Sequence, residues 1–375
     1  MTQGSLHGVR ILDLSRVLSG PYCTQILADH GAEVIKVEPP AGDETRTWGP
    51  PFMGEAAAYF QGINRNKQGL RLDLSTEAGR QGLLQLLENA DVLVENFKTG
   101  TMARWGLAPQ MLTARFPRLV YCGISGFGAD GPLGGLPGYD AAVQAMTGLM
   151  SINGAPDGSP TRIGVPVVDM VTGLNAAIGI LMALHERERS GAGQLLELSL
   201  FDCALSLLHP HAANFFASGA TPARTGNAHP NIAPYDVLQT RTVPIFLAVG
   251  NDHQFARLCQ ELGAPQLAQQ PEYASNGERS RHRDSLMARL GELAAGHDGE
   301  ALAQQLMSAG VPCSCVFDVR QALELAHTRH RGMVLQAGDY RGIASPIKLA
   351  RTPARFRAPP PRLGEHQLAF DFLQQ

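Results

Sequence analysis

The residue whose type and position best suit chemistry is Asp169. It follows the apolar run 165–168 and precedes a second apolar segment, residues 170 to about 188, which predicts a helix. A carboxylate at a helix start faces unpaired backbone N–H groups and the positive end of the helix dipole. Both keep it ionised and oriented, as a nucleophile requires. An ordinary N-cap uses aspartate in the same way, and this segment taken alone favours the N-cap.

Motifs for several other kinds of chemistry are missing. The turn at residues 15–21 lacks the G-x-G-x-x-G pattern of dinucleotide-binding domains, and the chain has no P-loop lysine. NAD- and ATP-dependent reactions are therefore disfavoured, although Arg16 and backbone N–H groups in this turn could still receive phosphates. The G-x-S-x-G elbow of serine hydrolases is absent. Cys122 lies within a predicted strand, where a core role is favoured over a nucleophilic one.

Metal binding is weakly supported, whereas one loop is a candidate ligand site. The histidine pairs at 209/211 and 327/330 have no acidic or thiol partner near them in sequence, so we expect no metal. Segment 123–138 contains seven glycines and follows a predicted strand. In a doubly wound sheet such a loop lies at the edge that binds ligands. A plain surface loop explains the composition equally well.

Composition sets the class of protein. The chain has 375 residues, a net charge of −3 and 44% hydrophobic residues, which predicts a soluble globular protein of two domains without a nucleic-acid surface. Its six cysteines show no disulfide-dense spacing, which favours reduced thiols in the cytoplasm. We expect no signal peptide. The most apolar stretch, residues 170–184, is shorter than a membrane span.

Alternating apolar strands and helices predict a doubly wound α/β domain with a parallel sheet and right-handed crossovers. The predicted strands are 9–14, 32–37, 90–95, 119–124 and 195–200, and the predicted helices are 22–30, 76–88, 101–107, 170–188 and 202–218. Residues 221–234, rich in Pro, Gly, Asn and His, predict a linker. A smaller α/β unit is predicted at 235–325, and a last helix is predicted after the proline-rich segment 358–364.

Eight short motifs occur in one order along the chain. They are 16–21 (RVLSGP), 34–39 (VIKVEP), 42–46 (GDETR), 64–67 (NRNK), 91–97 (DVLVENF), 166–169 (PVVD), 191–194 (GAGQ) and 359–364 (PPPRLG). As an ordered set, from about residue 6 to 366, they resemble the class III coenzyme A transferases, the family of formyl-CoA transferase and carnitine CoA-transferase. The resemblance implies a Rossmann-like large domain at 1–220 plus 326–375 and a smaller α/β domain at 235–325. It also implies that each subunit is a ring and that two rings interlock as a homodimer.

The resemblance assigns the catalytic role to Asp169. In the family, the matching aspartate attacks an acyl-CoA thioester and passes through a mixed anhydride and an aspartyl-CoA thioester. This implies no cofactor beyond coenzyme A as substrate carrier. The implied partners are an acyl-CoA, a carboxylic acid and a second copy of the chain, and neither nucleic acid nor a membrane.

Positions that match the family's CoA-binding residues can be carried over one by one. They are Val17, Leu18, Lys67, Arg71, Asn96, Phe97, Met102, Arg104, Tyr139 and Asp140. Some members have glutamine where this chain has Leu18, whose side chain cannot hydrogen-bond a reacting carbonyl. Structural roles stay open, because Asn96 could cap a turn and Phe97 could belong to the core.

Three segments, 42–51, 226–229 and 248–255, resemble the branch that uses succinyl-CoA and dicarboxylates such as glutarate. A dicarboxylate needs a cation for its distal carboxylate, and Arg16, Arg46 and Arg65 are candidates because arginine offers a bidentate fork. In some members a glycine-rich loop covers the intermediate. It corresponds to 248–254, where only Gly250 is glycine.

Two other functions stay open. The α-methylacyl-CoA racemases of the same superfamily abstract a proton with a His–Asp pair and have histidine where this chain has Tyr139. Tyrosine is a poor proton shuttle near neutral pH, so the transferase is favoured. A non-catalytic CoA-binding dimer, in which Asp169 is dispensable, is the other alternative.

Overall fold

A computed structural model describes residues 4–366, so the helix predicted after residue 364 lies largely outside the described residues. The strands in this range are β1 (Arg10–Asp13), β2 (Glu33–Glu38), β3 (Phe52–Met53), β4 (Ala56–Ala57), β5 (Lys67–Arg71), β6 (Val92–Glu95), β7 (Val120–Ser125), β8 (Leu195–Ser199), β9 (Tyr235–Leu238), β10 (Ile245–Ala248), β11 (Cys313–Cys315), β12 (Val334–Ala337) and β13 (Tyr340–Ile343).

The helices alternate with these strands over much of the chain. In the described part they are α1 (Ser19–Asp29), α2 (Ala58–Gln61), α3 (Glu77–Leu87), α4 (Thr101–Arg104), α5 (Pro109–Arg115), α6 (Asp140–Met146), α7 (Leu149–Ile152), α8 (Val167–Ser190), α9 (Leu200–Ser206), α10 (His211–Ser218), α11 (Asp252–Glu261), α12 (Asn276–Arg281), α13 (Arg283–Ala294), α14 (Gly299–Ser308), α15 (Val319–Glu324) and α16 (Ala326–His330). Short 3-10 turns occur at Glu44–Thr47, Pro265–Gln269 and Pro271–Tyr273.

The chain divides into two units, and the first contains the large sheet. Unit 1 comprises residues 4–149, 163–207 and 327–366 of the described chain. Its sheet has the order β5-β2-β1-β6-β7-β8, and all neighbouring strands are parallel. The predicted doubly wound α/β fold is confirmed. Because the order of the strands reverses between β1 and β6, the loops after these two strands flank the crevice where such sheets bind ligands.

The sheet of unit 1 is covered on both faces because successive side chains of each strand point to opposite sides. On β1, Leu12 packs with the leucines of α3, whereas Ile11 packs with Leu27 of α1 and Ile180 of α8. The apolar runs that predicted the strands therefore supply two core layers, one on each face.

Helix α8 carries Asp169 and is longer than predicted. It begins at Val167 rather than at residue 170, spans 24 residues to Ser190 and is capped by Gly191, which has a φ of +75°. By length and composition alone a helix of this kind could cross a membrane, so the expectation that it is too short is wrong. In the structure its Ala176, Ile180 and Leu184 pack in the core beneath the sheet.

Unit 2 comprises residues 150–162 and 208–326. An antiparallel sheet of order β11-β10-β9 packs with α11, α13 and α14 around its own apolar core. The predicted linker is part of this unit, because Arg224 donates to the carbonyl oxygen of Gly158 (2.7 Å) and the Gly226 N–H donates to that of Gly154 (3.1 Å). The single helix predicted at 202–218 is two helices, with Pro210, which has no N–H to donate, between them.

Candidate active site

The two loops at the switch point of the sheet of unit 1 are joined by one side chain. Asn96, directly after β6, accepts the backbone N–H of Arg16 (2.8 Å) and donates to its carbonyl oxygen (2.7 Å). Val17 has a φ of +66°, a backbone conformation that is strained for a β-branched residue. This clamp holds the turn after β1 in a defined shape without the glycines of a dinucleotide fingerprint.

A cavity of about 190 Å³ opens between these loops. Asp169 lines it, together with residues of the turn after β1 and of the loop after β6. The other lining residues are Arg16, Val17, Ser19, Glu44, Asn96, Phe97, Lys98, Thr99, Ile124, Ser125, Gly126, Leu136, Pro137, Gly138, Tyr139 and Leu200. The glycine-rich segment predicted as a ligand loop therefore contributes part of the wall.

The Asp169 carboxylate is nearly buried, with 8% of the residue exposed. Its Oδ1 accepts a hydrogen bond from the Ser19 hydroxyl at 2.5 Å. Ser19 is the first residue of α1 and is itself 3% exposed. Ser19 was not among the predicted site residues, although it lies inside the motif RVLSGP.

Asp140, and not Asp169, caps helix α8. Asp140 Oδ1 accepts the backbone N–H groups of Val168 (2.8 Å) and Asp169 (3.1 Å), while its Oδ2 accepts from Gln144 (2.6 Å). Asp169 is the third residue of the helix, and the N-cap interpretation of it is wrong. Asp140, which sequence matching suggested as a CoA contact, has both oxygens engaged within the protein.

The electrostatic setting of Asp169 also differs from the expectation. Burial raises the pKa of Asp169 to about 6, the Ser19 hydrogen bond opposes this shift, and the charge of Asp140 adds to it. The helix N–H groups that would have stabilised the ionised form are bonded to Asp140 instead. Asp169 is therefore a carboxylate that is mainly ionised at pH 7 but incompletely solvated.

An aromatic pair near Asp169 was missed from the sequence. Trp48 and Tyr59 meet edge to face, with ring centroids 5.3 Å apart. Burial, the charge of Asp169 and that of Asp140 raise the pKa of Tyr59 to about 12, so its phenol stays neutral. Trp48 lies in segment 42–51, which was singled out for its resemblance to the dicarboxylate branch, but the pairing of its ring with Tyr59 was not predicted.

A buried cluster of charges supports the turn after β1. Lys67 Nζ bonds to Asp13 Oδ2 (2.9 Å), Asn64 Oδ1 (2.8 Å) and the carbonyl oxygen of Pro21 (2.8 Å). Burial lowers the pKa of Lys67 to about 8. Burial also acts to raise the pKa of Asp13, but the positive charges of Lys67 and Lys36 oppose this effect and the pKa of Asp13 is about 2. Because its side chain is inaccessible and three protein groups already accept hydrogen bonds from it, Lys67 does not reach a ligand, contrary to the prediction.

A second pair in this cluster completes the support. Lys36 Nζ lies 3.0 Å from Asp43 Oδ2 and donates to the carbonyl oxygen of Ser15 (2.9 Å). Asp43 Oδ1 accepts from Thr45 and lies 3.4 Å from the backbone nitrogen of Val17. Both ends of the turn are thus bonded to buried ions.

Two of the three arginines predicted to bind a dicarboxylate are occupied elsewhere. Arg46 forms two hydrogen bonds to Glu38, and Arg65 forms two to Asp29 and one to the Ile343 carbonyl oxygen. Neither lines the cavity around Asp169. Arg16 does line it, over the ring of Phe97 and 4.0 Å from Glu44, and its Nε is buried with no hydrogen-bond partner among the described residues.

The remaining predicted residues differ in where they lie relative to this cavity. Val17, Asn96, Phe97 and Tyr139 line the cavity, with Tyr139 57% exposed at its wall. Leu18 is buried and does not line it, whereas Arg71 and Arg104 are exposed outside it. Gly250 belongs to unit 2, where its N–H donates to Gln254.

A second cavity of about 250 Å³ shares Phe97, Lys98 and Thr99 with the first and contains the predicted Met102 in its wall. Two carboxylates line it, Glu95 and Glu197, on either side of Gly123 in the register of the sheet. Burial raises the pKa of Glu95 to about 7. Lys98 lines both cavities and was not predicted from the sequence.

Comparisons with known proteins place this site in context. Residues 6–367 match the sequence profile of CoA-transferase family III. The chain is 40% identical over 374 residues to a succinate–glutarate CoA-transferase of Agrobacterium fabrum, covering 96% of this chain and 94% of that protein. It is 40% identical over 350 residues to an acetyl-CoA:oxalate CoA-transferase of Acetobacter aceti, covering 93% and 90%. A crystal structure of a CAIB/BAIF family protein from Brucella suis superimposes with a TM-score of 0.87 at 40% identity, covering 97% and 98%.

Proposed function

Because this chain belongs to CoA-transferase family III and is a CoA-transferase, we propose that Asp169 is its nucleophile and temporary carrier. The observation that carries the proposal is the position of the Asp169 carboxylate, which lies at a cavity wall yet has only 8% of its residue exposed. With a pKa of about 6 it is ionised near pH 7, as attack requires, and its poor solvation leaves it reactive.

The reaction is a double exchange at two carbonyl carbons. Asp169 attacks the thioester carbon, the C–S bond breaks, and CoA thiolate leaves behind an aspartyl–acyl anhydride. The thiolate then attacks Cγ of Asp169 and expels the acyl group as a free carboxylate, which leaves an aspartyl-CoA thioester. An incoming carboxylate attacks Cγ, the Cγ–S bond breaks, and CoA thiolate leaves a new aspartyl–acyl anhydride. The thiolate then attacks the acyl carbon of this anhydride and expels the Asp169 carboxylate, which gives the new acyl-CoA. Low water access favours transfer over hydrolysis of the anhydride.

Several residues around Asp169 suit the CoA chain. Val17, Asn96, Phe97 and Tyr139 line the cavity beside it, and Met102 lines the adjoining one. We assign these residues to the pantetheine arm and its surroundings. Arg71 and Arg104 are exposed and are kept as candidate partners of the CoA phosphates, with Lys98 added because it lines both cavities.

The proposed donor is succinyl-CoA and the proposed acceptor is a short dicarboxylate. Arg16 supports this assignment, because its guanidinium lines the cavity and its Nε is buried with no hydrogen-bond partner in residues 4–366. Similarity to a succinate–glutarate CoA-transferase points the same way. Arg46 and Arg65 are withdrawn from this role because their guanidinium groups are bonded to Glu38 and Asp29.

A homodimer and a cytoplasmic location complete the proposal. On the outer face of α8, Leu174, Ile178, Leu181 and Met182 are 40–67% exposed, and a second copy of the chain would bury such an apolar face. Sedimentation of the purified protein measures the assembly, and a monomer would contradict it. All six cysteines are free and buried, which fits a reducing compartment.

The test is intact-protein and peptide mass spectrometry after mixing with succinyl-CoA in the absence of acceptor. We expect a gain of one CoA less one water on the peptide that contains Asp169, and none in Asp169→Asn. Asp130→Asn, which removes an exposed carboxylate, is the control. Full turnover by Asp169→Asn would refute the nucleophile. With glutarate, formate and carnitine as acceptors, transfer only to formate or carnitine would refute the dicarboxylate assignment.

A further inference from the structure

We propose that Ser19 is a catalytic residue whose hydroxyl stabilises the oxyanion formed on Asp169 itself. This inference rests on the proposed function, and it assigns separate roles to the two oxygens of one carboxylate. Oδ1 accepts the Ser19 hydrogen bond at 2.5 Å. Among the described residues Oδ2 has no hydrogen-bond partner within the protein, so it is the oxygen left for attack on the thioester.

The role of Ser19 follows from what happens to Oδ1 during the reaction. In the anhydride, Oδ2 bridges to the acyl group and Oδ1 is a carbonyl oxygen. When CoA thiolate attacks Cγ, the S–Cγ bond forms and the π electrons of the carbonyl move onto Oδ1. The Cγ–Oδ2 bond then breaks, the acyl carboxylate leaves, and the Oδ1 carbonyl is restored. A donor already aimed at Oδ1 binds this transient charge more strongly than it binds the neutral carbonyl.

The position of Ser19 is fixed from both sides by close packing. A Cβ at position 173, one turn beyond Asp169 on α8, would lie 2.6 Å from the Ser19 carbonyl oxygen, so the glycine there lets α1 approach. A Cβ at position 20 would lie 2.2 Å from Ser15 Oγ. The hydroxyl therefore stands at the start of a helix that cannot shift without displacing its neighbours, which is the preorganisation that an oxyanion donor needs.

Ser19 is also better suited to this task than its neighbours in the turn. The Leu18 side chain has no donor, and the phenol of Tyr59, although neutral, forms no hydrogen bond to Asp169 among the described residues. The backbone N–H groups of Val168 and of Asp169 itself are bonded to Asp140. Ser19 is thus the donor that the protein offers to the Asp169 carboxyl group.

The test separates the two covalent steps in a single turnover with succinyl-CoA. Anhydride formation is followed as free CoA in acid-quenched samples, and aspartyl-CoA formation is followed as the mass of the adduct. In Ser19→Ala we expect CoA release within about threefold of wild type, and adduct formation slowed by about 100-fold, the usual loss for one oxyanion donor. Free CoA then accumulates, and the anhydride is lost by hydrolysis. Ser19→Thr keeps the hydroxyl and is expected to restore most of the adduct rate.

The matched control is Thr172→Val, which removes a buried hydroxyl that donates to the Val168 carbonyl oxygen on the same helix (2.8 Å). We expect it to leave both steps unchanged. If Ser19→Ala forms adduct at the wild-type rate, the inference is overturned. Equal slowing of both steps overturns it as well, because Ser19 would then only orient the ground state. Absence of any adduct in wild type would instead refute the proposed function itself.

Discussion

The backbone N–H of Asp169 donates to the carboxylate of Asp140 at 3.1 Å, so the two acidic residues of the site have different duties at one helix end. Asp140 takes the role of helix cap and accepts the N–H groups. The side chain of Asp169 is thereby left with a single hydroxyl donor and a cavity in front of it. Capping by a neighbour is what allows the helix start to present a poorly solvated carboxylate.

Replacement of Asp140 by Asn tests whether the charge of Asp140 raises the pKa of Asp169. The charge of Asp140 contributes to the raised pKa of Asp169, so Asp140→Asn removes that contribution while keeping one acceptor for the helix N–H groups. We expect the acid limb of kcat/KM against pH to move down by up to about one pH unit. Stability should fall by about 1 kcal/mol, because the Gln144 amide loses its carboxylate acceptor. An unchanged acid limb would show that Asp140 does not act on Asp169 electrostatically.

The ionised Asp169 side chain should lower the free energy of unfolding at neutral pH. Its folded pKa of about 6 lies above its ordinary value of 3.8, so its favourable contribution is complete below pH 3.8 and is lost as pH rises through 6. Asp169→Asn should therefore raise the free energy of unfolding at pH 7.5 by up to about 3 kcal/mol while abolishing transfer. Urea unfolding measures the gain, which should disappear near pH 4. The exposed control Asp130→Asn should change neither property, and a destabilised Asp169→Asn would contradict the assignment.

The sequence predicted the parts of this fold that rest on apolar periodicity. Strands β1, β2, β6, β7 and β8 contain runs of apolar residues or, in β8, alternating apolar residues, and they form the predicted parallel sheet. Strand β5, with the sequence KQGLR, was missed because its polar residues hide a strand whose lysine is buried by an ion pair. The Lys67–Asp13 ion pair depends on the tertiary structure, so the periodicity of the sequence does not reveal it.

The site shows the same limit. Asp169 could be singled out from its motif and from the helix that follows it. The partners of the charged residues could not be predicted, because Lys67, Arg46 and Arg65 bind Asp13, Glu38 and Asp29, which lie 54, 8 and 36 positions away in sequence. A lysine or arginine near a predicted ligand loop can therefore be assigned to ligand binding only after the structure shows that it is not already paired with an acidic residue of the protein.

Lys67 gives a direct test of that correction. Lys67→Met would leave Asp13 buried with only part of its compensation, and removal of one partner of a buried pair typically costs about 3–5 kcal/mol. We expect a large drop in the urea midpoint or poor soluble yield. The control is Lys98→Met, an exposed lysine at the cavity wall, which should keep its stability but raise KM for acyl-CoA. A stable Lys67→Met with a raised KM would restore Lys67 as a phosphate ligand.

Gly173 allows helices α1 and α8 to pack closely, and we expect this close packing to affect the rate of transfer. An alanine Cβ there would lie 2.6 Å from the Ser19 carbonyl oxygen and 3.1 Å from the ring of Tyr22, so α1 and α8 must separate. Overpacking of this kind costs about 1–3 kcal/mol, against a gain of about 1 kcal/mol from replacing glycine in a helix. Since the separation also lengthens the Ser19–Asp169 hydrogen bond, Gly173→Ala should lower kcat at least about tenfold and, like Ser19→Ala, let free CoA accumulate in a single turnover. Gly291→Ala, in helix α13 with no atom within 4 Å of the added Cβ, is the control and should be neutral or slightly stabilising. Wild-type kcat in Gly173→Ala would mean that the close approach of the two helices does not set the Ser19 donor.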